Sequence, residues 1–177
     1  GKRFSQKLGQ LPFGYDHKYV YSHIGYNLKI TDMQAAVGLA QLEKLPDFIA
    51  ARIKNFNYLY SHLKKYEKYL VLPRWLKDAR PSWFSFPITV KDEISRLELT
   101  RWLEAAHIQT RLVFSGNIIR QPAFKNIKYR VCGSLKESDR VMNDTFFIGV
   151  YPGLTKPMRE FVVKRFEDFF KKKKLAL

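Results

Sequence analysis

One cysteine in 177 residues is the first scarcity. Cys132 has no second thiol in the chain, which excludes an internal disulfide and any metal site built from several thiolates. As a lone thiol it reads as structural rather than nucleophilic. No apolar run is long enough to span a bilayer, and no signal pattern opens the chain. Both absences, with the missing disulfides, fit a cytoplasmic protein with no membrane partner. Acidic residues are few, 16 against 32 basic ones, giving a net charge of +16. That excess raises an anionic partner or a basic nucleic-acid module as one reading. Lysines on solvated helix faces, with Lys171–Lys174 as a local cluster, are the other. No aromatic-basic repeat of an RNA-binding kind is present, so nucleic acid is not expected as a partner. There is no glycine-rich phosphate loop, no HExxH and no nucleophile elbow, hence no self-contained catalytic signature.

What is abundant is core material. Hydrophobic residues make up 46% and aromatic residues 15% of a length suited to one domain. Residues 1–29 lack periodicity and are broken by Gly9, Pro12, Gly14 and Gly25. Such a long irregular lead-in is expected to be functional or part of something larger. Two regions follow: a lead-in over 1–29 and a domain over 30–177.

Thr31 as N-cap with Gln34 three residues on is a capping box, and Asp32 adds charge to the first turn. Ala35, Leu39, Leu42, Leu45 and Ile49 then form an apolar stripe at helical spacing. Gly38 gives up helix propensity, as a close approach would require. Pro46 ends or kinks this helix, and the pattern resumes to about residue 65. Tyr69–Leu72 is a short apolar run, and Trp83–Val90 reads as a strand with Pro87 hinting at an edge. Ser95–His107 is helical. Ile108–Phe114 is a strand closed by the Ser115-Gly116-Asn117 turn. A short helix over Asp139–Asp144, a strand over Phe146–Val150 and a helix from near Thr155 complete the chain. Met158, Phe161, Val162, Phe166, Phe169 and Phe170 are expected on the buried face of that last helix. The order predicts an α+β (α/β) domain: a short sheet of about three strands with helices packed mainly on one face.

Chemistry is sparse. His62 and His107 lie on helices without a paired carboxylate and read as surface residues. His17 and His23 lie in the lead-in and read as hydrogen-bonded structural residues. Before the first helix, Gly25 permits a turn, Asn27 can donate an amide N–H, and Lys29 supplies a charge. Beside a helix N-terminus these suit a phosphate or carboxylate. The residues alone leave open whether Asn27 binds an anion or only fixes the turn.

The stretch GYNLKITDMQAAVGLAQLEKL (25–45) resembles a segment of the sugar aminotransferases and dehydratases of the fold-type I, vitamin B6-dependent superfamily. GYDHKYVYSHIGYN (14–27), PSWFSFPITV (81–90), TRLVFSGNIIRQPAF (110–124), YRVCGSL (129–135) and SDRVMNDTFFIGVYPGLT (138–155) narrow the likeness. Together they resemble the CDP-4-dehydro-6-deoxyglucose 3-dehydratases of the DegT/DnrJ/EryC/StrS family, in order along essentially the whole chain.

The resemblance implies the C-terminal small domain of a fold-type I PLP-dependent transferase, preceded by a large cofactor domain. It implies pyridoxamine or pyridoxal phosphate as cofactor and a CDP-sugar that loses its C3 hydroxyl, for dideoxy-sugar and lipopolysaccharide synthesis. In that family a histidine replaces the Schiff-base lysine, and a two-iron, two-sulfur cluster receives electrons from a separate iron–sulfur flavin reductase. Those catalytic and cluster residues would precede Gly1, so no catalytic residue, no metal and no turnover are expected of this segment alone. A sugar aminotransferase of the same superfamily is the alternative.

Asn27 matches the family Asn that reaches the cofactor phosphate of the neighbouring subunit in a homodimer. Lys29 stands where many relatives have Arg, keeping the charge without bidentate geometry. Phe114, Gly116 and Asn117 match a substrate-proximal loop, with Ser115 where a smaller residue is usual. Phe147 stands where the close family often has Trp. Arg111 and Arg120 could meet the diphosphate or lie free on the surface.

Overall fold

The computed structural model describes residues 12–13, 26, 28–124 and 126–175. Asn27, His17 and His23 lie outside the described residues. The chain divides into two compact units, Gly1–Leu42 and Glu43–Leu177.

In the first unit the capping box forms as expected. The Thr31 backbone N–H donates to Gln34 Oε1 at 2.8 Å, and the Gln34 N–H donates to Thr31 Oγ1 at 3.3 Å. Helix α1 (Asp32–Glu43) follows, and none of its residues is buried. No atom lies within 4 Å of a Cβ placed on Gly38, so the close approach expected there is not made among the described residues. Helix α2 (Leu45–Leu63) starts anew with Pro46 in its first turn. The proline therefore opens a helix, where its missing N–H costs nothing.

The second unit continues with β1 (Leu70–Val71), β2 (Ser85–Val90), α3 (Arg96–Glu104) and β3 (Thr110–Leu112). Helix α4 (Lys136–Asp144), β4 (Thr145–Gly149) and α5 (Lys156–Lys172) complete it. Ser95 caps α3 by accepting from the Glu98 N–H, and Thr155 caps α5 by accepting from the Met158 N–H.

The sheet is antiparallel throughout, in the order β1-β2-β4-β3. It has four strands rather than about three, the additional one being the two-residue β1. Because β1 pairs only with Val90 and Thr89, Pro87 faces no strand on that side and opposes Phe147 on the other. A residue without an N–H is tolerated at such a local edge. Alternation along β2 sends Phe86, Ile88 and Val90 into the core, where Phe146 and Ile148 of β4 join them.

Three helices cover this apolar layer. Phe56, Leu59 and Leu63 come from α2, Leu99 and Leu103 from α3, and Val163, Phe166, Phe169 and Phe170 from α5. Helix α5 packs on both α2 and α3. Aromatic rings stack inside it, Phe56 on Trp83 and Tyr66 on Phe170, each pair 4.0 Å between centroids. Each buried Phe contributes about 1.5–3 kcal/mol relative to an exposed one.

One expected face is corrected. Met158 and Phe161 stay 52% and 47% exposed, and Val163 and Arg159 take buried places on α5 instead. Arg159 is drawn in by polar partners: its Nη1 donates to Asn55 Oδ1 and to the Leu154 carbonyl, both at 2.7 Å. Asn55 in turn donates to the Tyr151 carbonyl at 2.7 Å. This network anchors the turn between β4 and α5 to α2. It rotates the apolar stripe of α5 away from its first turn.

Candidate functional site

After β3 the chain turns sharply. Phe114 has a positive φ of 48° and Gly116 one of 63°. The left-handed region is ordinary for glycine and costly for phenylalanine. The Gly116 N–H donates to the Val113 carbonyl at 3.0 Å, closing the turn. A Cβ on Gly116 would collide with the backbone N and Cα of Met142 in α4. Glycine is thus required twice, for conformation and for contact.

The next residues are pinned to α4 through one carboxylate. Asn117, 4% exposed, donates from Nδ2 to Asp139 Oδ1 at 2.7 Å. Arg120, in a short 3₁₀ turn over Ile118–Arg120, donates from Nε to Oδ1 at 3.1 Å and from Nη2 to Oδ2 at 3.0 Å. This is the two-pronged geometry that makes arginine–carboxylate pairs directional. Arg120 first, and Asn117 second, hold the Asp139 carboxyl below the usual carboxylate range. The Arg120 guanidinium is correspondingly pushed up.

The clamp leaves Phe114 projecting at 85% exposure. Arg111 lies exposed on the adjoining β3, opposite Phe147 of β4. The structure therefore gathers Phe114, Gly116, Asn117 and Arg120 on one short loop, with Arg111 on the strand that leads into it. Arg120 is not the free surface cation it could have been, since two of its donors are committed to Asp139. Asp139 was not singled out from the sequence. In α4 it reads as one more acidic residue in a first turn, and only the folded contact shows its role.

The remaining candidates lie apart. His62 stacks on Tyr58 at 4.1 Å and bonds to the Tyr58 carbonyl at 2.8 Å, while His107 is exposed. Cys132 is a free, exposed thiol. Among the described residues no group of His, Cys, Asp or Glu could hold a metal ion, and no helix is long and apolar enough to cross a membrane. Lys29 is exposed in the first unit, with no ion pair or hydrogen bond among the described residues. A single free cation is no cradle for a phosphate-bearing cofactor, so the described residues do not by themselves form such a site. The loop offers an exposed ring on a mount fixed to α4. These suit binding and positioning rather than proton transfer.

The sequence profile of the DegT/DnrJ/EryC1/StrS aminotransferase family matches residues 5–167. The chain is 57% identical over 172 residues to the lipopolysaccharide biosynthesis protein RfbH of Salmonella typhimurium, covering 96% of this chain and 39% of that protein. It is 46% identical over 173 residues to the dTDP-4-dehydro-2,6-dideoxy-D-glucose 3-dehydratase of Saccharopolyspora spinosa, covering 97% of this chain and 37% of that protein. The solved structure of E. coli GDP-4-keto-6-deoxy-D-mannose-3-dehydratase with bound hydrated PLP superposes with a TM-score of 0.75 at 25% identity. That match covers 84% of this chain and 38% of the other. The chain thus spans well under half the length of the proteins it matches.

Proposed function

The chain belongs to the DegT/DnrJ/EryC1/StrS aminotransferase family, and we propose that it is the C-terminal part of a vitamin B6-dependent sugar-nucleotide 3-dehydratase. The substrate in this reading is CDP-4-dehydro-6-deoxyglucose, which loses its C3 hydroxyl on the way to a dideoxy sugar of lipopolysaccharide. The observation that carries it is the alignment of 96% of this chain with 39% of a lipopolysaccharide biosynthesis protein, at 57% identity over 172 residues. A 3-dehydratase at 46% identity supports the reaction class.

This chain's own residues supply binding. The Val113–Arg120 loop, mounted on α4 by Asp139, presents Phe114 to the sugar nucleotide. Arg111 carries a charge suited to the diphosphate. Lys29, with Asn27, contributes to the cofactor phosphate of the neighbouring subunit in a homodimer. When bound, pyridoxamine phosphate supplies the electron sink for loss of the hydroxyl. The base, the two-iron, two-sulfur cluster and the docking of a separate iron–sulfur flavin reductase belong to the whole cytoplasmic protein, and this segment alone does not turn over.

A second reading, a sugar aminotransferase, is favoured by the family's breadth. One experiment separates the two. The intact protein is incubated with pyridoxamine phosphate, glutamate, the CDP-4-keto sugar and a reductase with its electron donor, and the product is read by NMR. Loss of the C3 oxygen supports the dehydratase. Transfer of glutamate's amino group to C4 with C3 unchanged contradicts it.

A further inference from the structure

A cavity of about 440 Å³ opens between α2, α5 and the β3–β4 edge of the sheet. That volume lies within the range of small-molecule sites, about 300–1,000 Å³. Its walls include Leu154, Met158, Phe161 and Val162, and Arg111 and Arg159 line it as well. None of Phe114, Gly116, Asn117 or Arg120 lines it; Arg111, on the strand leading into that loop, is the residue the two share.

Arg159 gives the cavity its character. The side chain is 7% exposed and has no carboxylate partner among the described residues. Its hydrogen bonds go to the neutral Asn55 side chain and the Leu154 carbonyl, both from Nη1, and its guanidinium lies 5.4 Å from the Tyr58 ring centroid. Nε is buried without a hydrogen-bond partner. A buried guanidinium without a counter-ion is unfavourable, and an anion beside it restores the balance. Anchoring the β4–α5 turn accounts for Nη1, with the Tyr58 ring beside the guanidinium, but supplies no counter-charge. It does not account for the half-exposed Met158 and Phe161, which leave an apolar wall open next to a buried charge.

We propose that this cavity binds a small amphiphile with an apolar body and a single carboxylate head, the body against Met158 and Phe161 and the head toward Arg159. Decanoate, below its micellar concentration, is the probe, and 1-decanol is the uncharged comparison. Calorimetric titration of the intact protein should show one decanoate per chain, bound at least tenfold more tightly than decanol. Met158→Trp fills the cavity from an exposed position. It should abolish decanoate binding while leaving the thermal melt in place. Absence of saturable binding overturns the proposal, as does equal affinity for decanol or unchanged binding by Met158→Trp. The decanoate–decanol comparison uses unmodified protein, so it stands even if the variant fails to fold.

Discussion

The layer between α2, α5 and the sheet and the loop over Val113–Arg120 are held by opposite means. In the first, Phe56, Phe86, Phe146 and Phe166 are fully buried, and shape and area do the holding. In the second, a single carboxylate takes three donated hydrogen bonds, and an exposed phenylalanine sits at a positive φ. Apolar burial is strong but non-directional. Charge-assisted hydrogen bonds are directional and, at a solvent-accessible site, weak in net free energy. The core therefore makes the domain stable, and the clamp gives one loop a fixed shape. Residues from the two regions should fail in different ways.

The largest stability effect belongs to the core. Phe56→Ala removes a ring packed against Trp83 and Phe86 and should cost about 3–5 kcal/mol, read from the denaturant midpoint. A loss below about 1 kcal/mol would show that this layer is not the stabilising one. Next comes Gly116→Ala, which combines a left-handed backbone with a collision against Met142 and should cost about 1–3 kcal/mol. Unlike the Phe56 variant, it should displace the loop locally, visible as faster amide exchange from Val113 to Arg120.

Acid sharpens the contrast further. The Asp139 carboxyl is lower in the folded state than in the unfolded one, so its contribution is present above the ordinary carboxylate value near about 4. It is lost as pH falls through the folded value. Amide protection factors in Asn117–Arg120, corrected for the intrinsic pH dependence of exchange, should therefore fall on acidification before those in α2 or α5 do; simultaneous loss would merge the two regions. The smallest effect is expected at Lys65 and Glu167, an exposed pair 2.6 Å apart on the core's outer surface. Glu167→Gln should change stability by less than about 1 kcal/mol.

Much of the core was legible because it rests on periodicity. The stripes at Phe56-Leu59-Leu63 and Phe166-Phe169-Phe170, and the alternation along Ser85–Val90, are local patterns. Thr31, Ser95 and Thr155 stand where a cap is needed, and caps are local too. What periodicity could not show was partnership across the chain. Met158 and Phe161 looked buried because nothing nearby reveals that Asn55, 104 residues before Arg159, draws that arginine inward. The strand order β1-β2-β4-β3 has the same character, since the outer strands are only two and three residues long.

The loop was legible in its turn residues and not in its anchor. Gly116 and Asn117 announce a turn by their chemistry. Asp139, 22 residues after Asn117, carries no sign that it holds that turn. Arg120 likewise could not be told from a solvated cation until its fork was seen on Asp139.

The central claim is that the clamp positions a substrate-binding loop rather than stabilising the domain. Asp139→Asn in the intact protein tests it most directly, with kcat/KM for the proposed CDP-4-keto sugar and the thermal midpoint measured side by side. The account predicts a fall in kcat/KM of about tenfold or more, from a barrier increase near 1.4 kcal/mol, with a midpoint shift under about 2 °C. Unchanged kcat/KM, or activity and midpoint collapsing together, would contradict it.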